Sequence, residues 1–164
     1  MHMSNIKKLA LAGIFVAMGV VCSAFYIPIG VAKCFPVQSL INVLSGVLLG
    51  PLYAVCVAFV TSIIRVMTGT GTLLAFPGSM CGALLCGVLY KYTKNIVMAL
   101  AGEVFGTGII GAILAFPVAS LLLSKTVALF GFVIPFGLSS LIGAAIALVF
   151  LNALKKLRVL NLGE

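Results

Sequence analysis

The sequence contains very little charge. Charged residues make up 7% of its 164 residues, whereas 63% are hydrophobic. A soluble globular domain carries about 25% charged residues, so this composition excludes a water-soluble fold. The only two acidic residues are Glu103 and Glu164. Long apolar runs predict an integral membrane protein, in which a polar residue within a run is a functional candidate because burial in lipid is costly.

Residues that build metal sites and catalytic centres are also scarce. The only histidine is His2, and the five cysteines include no Cys-x-x-Cys motif. A metal site or a histidine-activated nucleophile therefore lacks its components, and Glu103 alone cannot form a pair of catalytic carboxylates. The GxxxxGKS/T motif of a P-loop is absent too. These absences predict a protein that is not an enzyme, holds no cofactor, and depends on a partner for any use of ATP.

Basic residues lie at the chain ends and in loops. Because they form no basic–aromatic face, the net charge of +8 does not indicate nucleic-acid binding. Cytoplasmic segments of membrane proteins are enriched in Lys and Arg. With the start of the chain inside, the basic residues of inner segments are Lys7, Lys8, Lys91, Lys94, Lys155, Lys156 and Arg158. Only Lys33 and Lys125 fall in outer segments, and Arg65, near the outer end of the third helix, is left out of the count. We therefore expect both termini on the cytoplasmic side of the plasma membrane.

Continuous apolar runs predict helices rather than a barrel, since the backbone in lipid must satisfy its own hydrogen bonds. A hydrocarbon core about 30 Å thick needs roughly 20 residues per crossing. We therefore predict an all-α integral membrane protein in which residues 1–164 form one domain of six transmembrane helices. Their approximate bounds are 6–25, 37–49, 52–67, 74–90, 96–123 and 131–154. The apolar loop before the second helix is expected to fold back over the bundle.

A few polar residues lie inside the predicted helices. Gln38 and Asn42 are one turn apart, and so are Glu103 and Thr107, so each pair shares a helix face. Glu103 must face the bundle interior, pair or take up a proton. It is either a ligand or proton site, or a structural residue that pairs with Arg65 or caps a helix end. Arg65 alternatively binds a ligand or extends to the interface. Interhelical hydrogen bonds alone would also explain Gln38 and Asn42.

The loop TGTGT at residues 68–72 supplies hydroxyls and free backbone N–H groups at the start of the fourth helix. Such groups can hold a polar or anionic part of a ligand, and Thr70 and Thr72 are the candidates. The sequence has no tryptophan, which excludes a tryptophan-stacked site.

Other residues are assigned mainly to packing. Ser139 and Ser140 fit interhelical hydrogen bonds within the bundle. Gly13 and Ala17 are four residues apart, a spacing that allows close helix approach, and such a face can also dock a second membrane protein. Cys34 is the exception, because its place in a predicted loop beside a lysine makes it the most reactive of the five thiols.

Three long segments of the sequence resemble the ThiW family. They are FYIPIGVAKCFPVQSLINVLSGVLLGP, RVMTGTGTLLAFPGSMCGALL and GEVFGTGIIGAILAFPVA, and the resemblance extends from about Lys7 to Leu154. It implies a substrate-binding S component of an energy-coupling factor (ECF) transporter, with six helices and an outward-facing pocket under the first loop. It also implies a thiamine-precursor substrate, hydroxyethylthiazole.

The resemblance further implies a transmembrane coupling subunit and two ATPase subunits as partners. Related S components dock on the coupling subunit through an AxxxA-like pattern on helix 1, which here reads Gly13 and Ala17. A thiazole alcohol suits an apolar site with a few hydrogen-bonding groups. The residues that supply these groups and the aromatic surface are Phe35, Gln38, Asn42, Arg65, Thr70, Thr72, Phe76, Glu103 and Thr107.

Two other classes of protein stay open. The first is an autonomous secondary carrier or channel for a small heteroaromatic compound, proton-coupled through Glu103. Carriers often have paired halves and broken helices, and the sequence shows no such pairing. The second is an assembly protein that uses its small-residue faces and binds no ligand.

Overall fold

A computed structural model describes residues 4–29, 32–122 and 131–156. The first part contains helix α1 (Asn5–Val21), a 3₁₀ turn (Cys22–Ala24), strands β1 (Ile27–Ile29) and β2 (Ala32–Cys34), and helices α2 (Pro36–Leu48) and α3 (Pro51–Met67). Helix α4 (Ala75–Thr93) follows. The next segments are α5 (Ile96–Phe105), a π-helical stretch (Gly106–Gly111), α6 (Ala112–Pro117) and a second π-helical stretch (Val118–Leu122). Helix α7 (Val133–Lys156) is the last.

The described part of the chain is mostly helical and apolar, which fits an all-α membrane protein. Three stretches are long and apolar enough to cross a bilayer, namely Asn5–Ala24, Ile96–Leu121 and Val133–Lys156. Shorter apolar helices occupy Pro36–Leu48 and Pro51–Met67. The prediction of six crossings with both termini inside therefore stays a prediction. Leu123, Lys125 and Arg158, which also entered the predicted bounds and charge count, lie outside the described residues.

Helix α2 occupies the centre of the bundle. It contacts α1, α3, α4, α5 and α7, and nearly all of its side chains are buried. Small residues permit this close packing: a Cβ at Gly46 would lie 2.9 Å from Cys86 Sγ on α4. The turn from α2 to α3 is tight because Gly50 adopts a φ of 94°, which favours glycine, and Pro51 starts the next helix. Polar residues carried by α2 are consequently held inside the protein.

Strands β1 and β2 form an antiparallel hairpin between α1 and α2. Ile27 pairs with Cys34 and Pro28 with Lys33. The sequence predicted a loop that folds back over the bundle, but it did not predict paired strands. The expectation of a reactive Cys34 is wrong, because the side chain is fully buried and burial raises the pKa of its thiol.

The two ends of the bundle differ in charge. The end opposite the hairpin holds the lysines of three chain segments, which are Lys7, Lys8, Lys91, Lys94, Lys155 and Lys156. Lys8 Nζ lies 5.8 Å from the ring centroid of Tyr53, at the start of α3. Leu151, one turn before the last two lysines, packs in the same apolar cluster as Tyr90. At the hairpin end, Ser23 Oγ donates to Thr70 Oγ1 at 2.9 Å and joins α1 to the α3–α4 turn.

Candidate functional site

A cavity opens inside the bundle beneath the hairpin. It comprises about 350 Å³ when its open mouth is included. The hairpin, α2, α3, α4, α7 and the π-helical stretch after α5 all contribute to its wall. The lining residues are Lys33, Phe35, Gln38, Ser39, Asn42, Arg65, Ala75, Gly78, Ser79, Thr107, Phe136 and Ser139.

Arg65 enters the cavity wall from the last turn of α3. The residue is only 1% exposed, so its guanidinium has been removed from water. Its Cζ lies 3.8 Å from the ring centroid of Phe35, in cation–π geometry. A second cation, Lys33, places Nζ 4.1 Å from the ring centroid of Tyr26, and the Tyr26 and Phe35 centroids are 6.0 Å apart. Two cations and two rings therefore form one continuous series of contacts from α3 to the hairpin.

A chain of hydrogen bonds runs from Arg65 into the bundle. Arg65 Nη1 donates to Gln38 Oε1 at 3.0 Å, and Gln38 Nε2 donates to Asn42 Oδ1 at 3.4 Å. Asn42 Nδ2 donates in turn to Glu103 Oε1 at 3.1 Å. Because a guanidinium can only donate, it fixes the orientation of both amides. The chain thus has one direction, from a cation at the cavity to a carboxylate behind it.

Glu103 is fully buried behind the cavity wall and does not line the cavity. Its Oε1 lies 2.9 Å from Thr107 Oγ1, which is also 3.1 Å from the carbonyl oxygen of Gly78. Within the described ranges, Glu103 Oε2 has no hydrogen-bond partner. The direct Arg65–Glu103 pair considered from the sequence does not form, because Gln38 and Asn42 lie between the two charged groups.

Arg65 also retains unused donors. Among the residues that the structure describes, neither Nε nor Nη2 of Arg65 has a hydrogen-bond partner. A buried donor without an acceptor costs about 1–3 kcal/mol, and a charged one costs more. The cavity wall therefore contains a cation with free N–H groups and no carboxylate beside it. Such a group is suited to an acceptor atom brought by a ligand.

The structure brings together five of the nine residues predicted to bind substrate: Phe35, Gln38, Asn42, Arg65 and Thr107 all line the cavity. Glu103 lies directly behind two of them. Lining residues that the sequence analysis did not select include Lys33, Ser39, Gly78, Ser79, Phe136 and Ser139. The sequence favours packing for Ser139, but the residue also lines the cavity, and its Oγ accepts a hydrogen bond from Phe35 N at 3.0 Å. No signal in the sequence separates it from Ser140.

Three predicted contacts do not line this cavity. Thr70 Oγ1 is engaged with Ser23, and the carbonyl of Thr72 accepts a hydrogen bond from Ala75 N at 3.0 Å. Phe76 packs edge-on against Phe59, with ring centroids 5.8 Å apart. The TGTGT turn therefore closes the α3–α4 connection in this structure. A role of Thr70, Thr72 and Phe76 in ligand binding stays a prediction.

The predicted docking residues lie on an open face of α1. Gly13 and Ala17 are exposed, and a Cβ added to Gly13 would meet nothing within 4 Å. The opposite face of α1 buries Ala12, Phe15 and Gly19 against the bundle. Large apolar side chains border the open face, including Leu9 at 69% exposed. The open face is consequently suited to lipid or to another membrane helix.

These features define a helical membrane protein with a small polar site in its interior. The chain belongs to the ThiW family, because the family model, described as "Thiamine-precursor transporter protein (ThiW)", matches residues 9–157. A comparison with curated proteins gives no match. Family membership indicates transport of a thiamine precursor, places the chain in a membrane, and implies a protein that is not an enzyme.

Proposed function

We propose that the chain is the substrate-binding S component of an ECF-type transporter and captures hydroxyethylthiazole from outside the cell. Membership of a thiamine-precursor transporter family supports the role. The observation that carries the site is Arg65, a buried cation that lines an interior cavity and whose Nε and Nη2 have no hydrogen-bond partner among the described residues. A small heteroaromatic alcohol brings acceptor atoms for these donors and an apolar ring for the remaining wall.

The cavity offers a ligand two kinds of contact. Phe35 and Phe136 are distant in sequence but both line the cavity, and their aromatic surface suits contact with a thiazole ring. Gln38 and Asn42 present amides held in a fixed orientation by Arg65 and Glu103. Pre-oriented polar groups favour binding because little side-chain freedom is lost when the ligand enters. In this proposal Thr107 contacts the ligand, and Glu103, behind the cavity wall, holds Asn42 and Thr107 in position.

The proposed topology has six crossings with both termini in the cytoplasm. The six described lysines at the end opposite the hairpin support this orientation. The cavity mouth and the hairpin then face outward, toward the incoming substrate. A transmembrane coupling subunit and two ATPase subunits are the proposed partners, since the chain itself has no P-loop motif.

The open face of α1 is the proposed docking surface for the coupling subunit. A double substitution, Gly13→Leu with Ala17→Leu, should abolish ATP-driven uptake by the assembled transporter, because the new side chains would fill the flat surface. Binding of hydroxyethylthiazole should be unchanged, since neither residue lines the cavity. Ala145→Leu is the matched control, because Ala145 is also small and exposed but lies on α7. Uptake that survives the double substitution would contradict this surface.

The alternative function is a secondary carrier, proton-coupled through Glu103. The observation that favours it is the buried Oε2 of Glu103, which has no hydrogen-bond partner among the described residues. Vesicles that contain only this protein separate the two functions. Uptake driven by a pH gradient without ATPase subunits would support the carrier, whereas uptake that requires the ATPase subunits supports the S component.

The proposed substrate is tested by the thermal stability of the purified protein in detergent. A ligand that binds only the folded state adds about 2.7 kcal/mol of stability at a hundredfold excess over its dissociation constant. We expect hydroxyethylthiazole to raise the melting temperature and the pyrimidine precursor of thiamine to leave it unchanged. A shift with the pyrimidine alone would contradict the proposed substrate. A shift with neither compound would contradict the proposed binding function.

A further inference from the structure

We propose that Arg65 selects ligands by charge: the cavity accepts a heteroaromatic compound whose side group is neutral or anionic and accepts hydrogen bonds, and it rejects the same compound when that group is cationic. This inference rests on the proposed function and adds to it a rule for the substrate class. It follows from the charges that line the cavity, the unused donors of Arg65, and the way in which the nearest carboxylate is occupied.

The charges in the cavity wall are all of one sign. Lys33 and Arg65 line the cavity, and no acidic side chain does so among the described residues. The chain has only two acidic residues in total, Glu103 and Glu164, and the latter lies outside the described ranges. Like charges brought together in a binding site oppose binding by several kcal/mol. A cationic ligand would therefore meet two cations at close range.

The nearby carboxylate cannot serve as a counter-charge in the cavity. Glu103 Oε1 receives Asn42 Nδ2 at 3.1 Å and lies 2.9 Å from Thr107 Oγ1, and both of these residues separate it from the cavity. Its other oxygen faces Gly82, where an added Cβ would lie 2.5 Å from Oε2. Glu103 thus fixes the direction of the Gln38–Asn42 amides and leaves the ligand to complete the contacts of Arg65.

Aromatic surface near the mouth is likewise engaged by cations of the protein. Phe35 carries the Arg65 guanidinium at 3.8 Å, and Tyr26 carries Lys33 Nζ at 4.1 Å. Sites that recognise cationic ligands use aromatic faces for that purpose. One face of each of these rings already carries a charged side chain of the protein, so that face is not free for an incoming cation. An acceptor atom of the ligand, by contrast, would supply the partner that Nε and Nη2 of Arg65 lack among the described residues.

The test compares three thiazoles whose short side chain ends in an alcohol, an amine or a carboxylate. The alcohol and the amine are nearly equal in size, and the amine is a cation at neutral pH. We expect the amine to bind at least about a hundredfold more weakly than the alcohol. The carboxylate should bind within about tenfold of the alcohol, since Arg65 can donate to it. Affinities are measured by calorimetry on the intact protein in detergent.

Each outcome of this comparison has a definite meaning. An amine that binds as tightly as the alcohol overturns the charge rule and leaves the proposed function standing. A carboxylate that is rejected as strongly as the amine also overturns it, because the cavity would then exclude any charge. Failure of all three thiazoles to bind contradicts the proposed function and this inference together.

Substituting Arg65 and Lys33 separately tests which of them rejects the cationic ligand. In Arg65→Met, the ratio of amine to alcohol affinity should rise by at least tenfold toward unity, because the buried charge and its free donors are removed together. Lys33→Met is the matched control, since Lys33 lines the mouth but stacks on Tyr26, and its effect on the ratio should be smaller. A larger effect of Lys33→Met than of Arg65→Met would overturn the assignment to Arg65. The wild-type ranking of the three ligands stands as a test even if Arg65→Met does not fold.

Discussion

The two halves of α2 are equally buried but carry different side chains. The half that follows the hairpin buries Gln38, Ser39 and Asn42 beside the cavity, whereas the half that leads to α3 buries Val43 and Leu44 in an apolar core. Both halves are covered by neighbouring helices, so exposure does not distinguish them. In the apolar half the only polar side chain, Ser45, hydrogen-bonds to a backbone carbonyl of its own helix. In the polar half the hydrogen bonds lead to Arg65, whose Nε and Nη2 have no partner among the described residues. We propose that this difference separates a packed core from a ligand site.

Leu151→Ala should have the largest effect on stability. Leu151 lies on α7 and packs against the apolar half of α2, so the cavity should be unaffected. Leu151 is fully buried in the same cluster as Val43, Leu44 and Tyr90, and removing a buried leucine side chain typically costs about 2–5 kcal/mol. We expect a loss of that size in the free energy of unfolding, measured by denaturation in detergent, with unchanged affinity for hydroxyethylthiazole. Val149→Ala on the same helix is the control, because Val149 is 70% exposed. Equal losses in the two variants would place Leu151 outside any close-packed core.

Gly82→Ala should have the second largest effect, on the hydrogen-bonded residues beside the polar half of α2. An added Cβ would contact Thr107 Oγ1 and lie 2.5 Å from Glu103 Oε2, so the carboxylate that anchors Asn42 would have to shift. Overpacking of this kind costs about 1–3 kcal/mol, and we expect weaker ligand binding in addition to a lower melting temperature. Gly13→Ala is the control, since an added Cβ there meets nothing within 4 Å. Unchanged affinity in Gly82→Ala would indicate that the carboxylate end of the chain has no influence on the cavity.

Substitutions of the two adjacent serines on α7 should have the smallest effects, because the serines differ only in their hydrogen bonds. Ser139 Oγ accepts a hydrogen bond from Phe35 N in the hairpin connection, whereas Ser140 Oγ donates to Gly137 O within its own helix. Ser139→Ala should lower stability by about 1 kcal/mol, because Phe35 N loses its partner, and should weaken binding modestly. Ser140→Ala should change neither quantity measurably. The two melting curves and two titrations decide this, and the reverse order of effects would contradict the assigned cavity wall.

Much of the helical pattern was predictable, because long apolar runs and the Gly50–Pro51 turn leave few choices. The observed bounds of α2 and α3 differ from the predicted ones by about one residue. The proximity of Gln38 to Asn42 and of Glu103 to Thr107 followed from helical spacing. Both pairs are hydrogen-bonded in the structure.

Other features could not be predicted, because they depend on how each helix is rotated. Helix α4 is apolar on most faces, so the sequence could not tell that Phe76 faces Phe59 while Gly78 and Ser79 face the cavity. The role of Ser139 depends on a contact with Phe35, which is distant in sequence. The β1–β2 hairpin was missed because its residues are apolar and few, and the π-helical turn at Gly106–Gly111 leaves no periodic signal.

The most direct test of the central claim is the affinity of the purified protein for hydroxyethylthiazole with and without Gln38. Gln38 is the only residue that joins Arg65 to Asn42 in the described hydrogen-bond chain, through bonds of 3.0 and 3.4 Å. Calorimetry should show one site per chain in the wild type and at least about tenfold weaker binding in Gln38→Ala, since each tenfold step corresponds to about 1.4 kcal/mol. The variant should remain folded, as judged by its melting curve. Equal affinity in the wild type and a folded Gln38→Ala would contradict the claim that this polar wall binds the substrate.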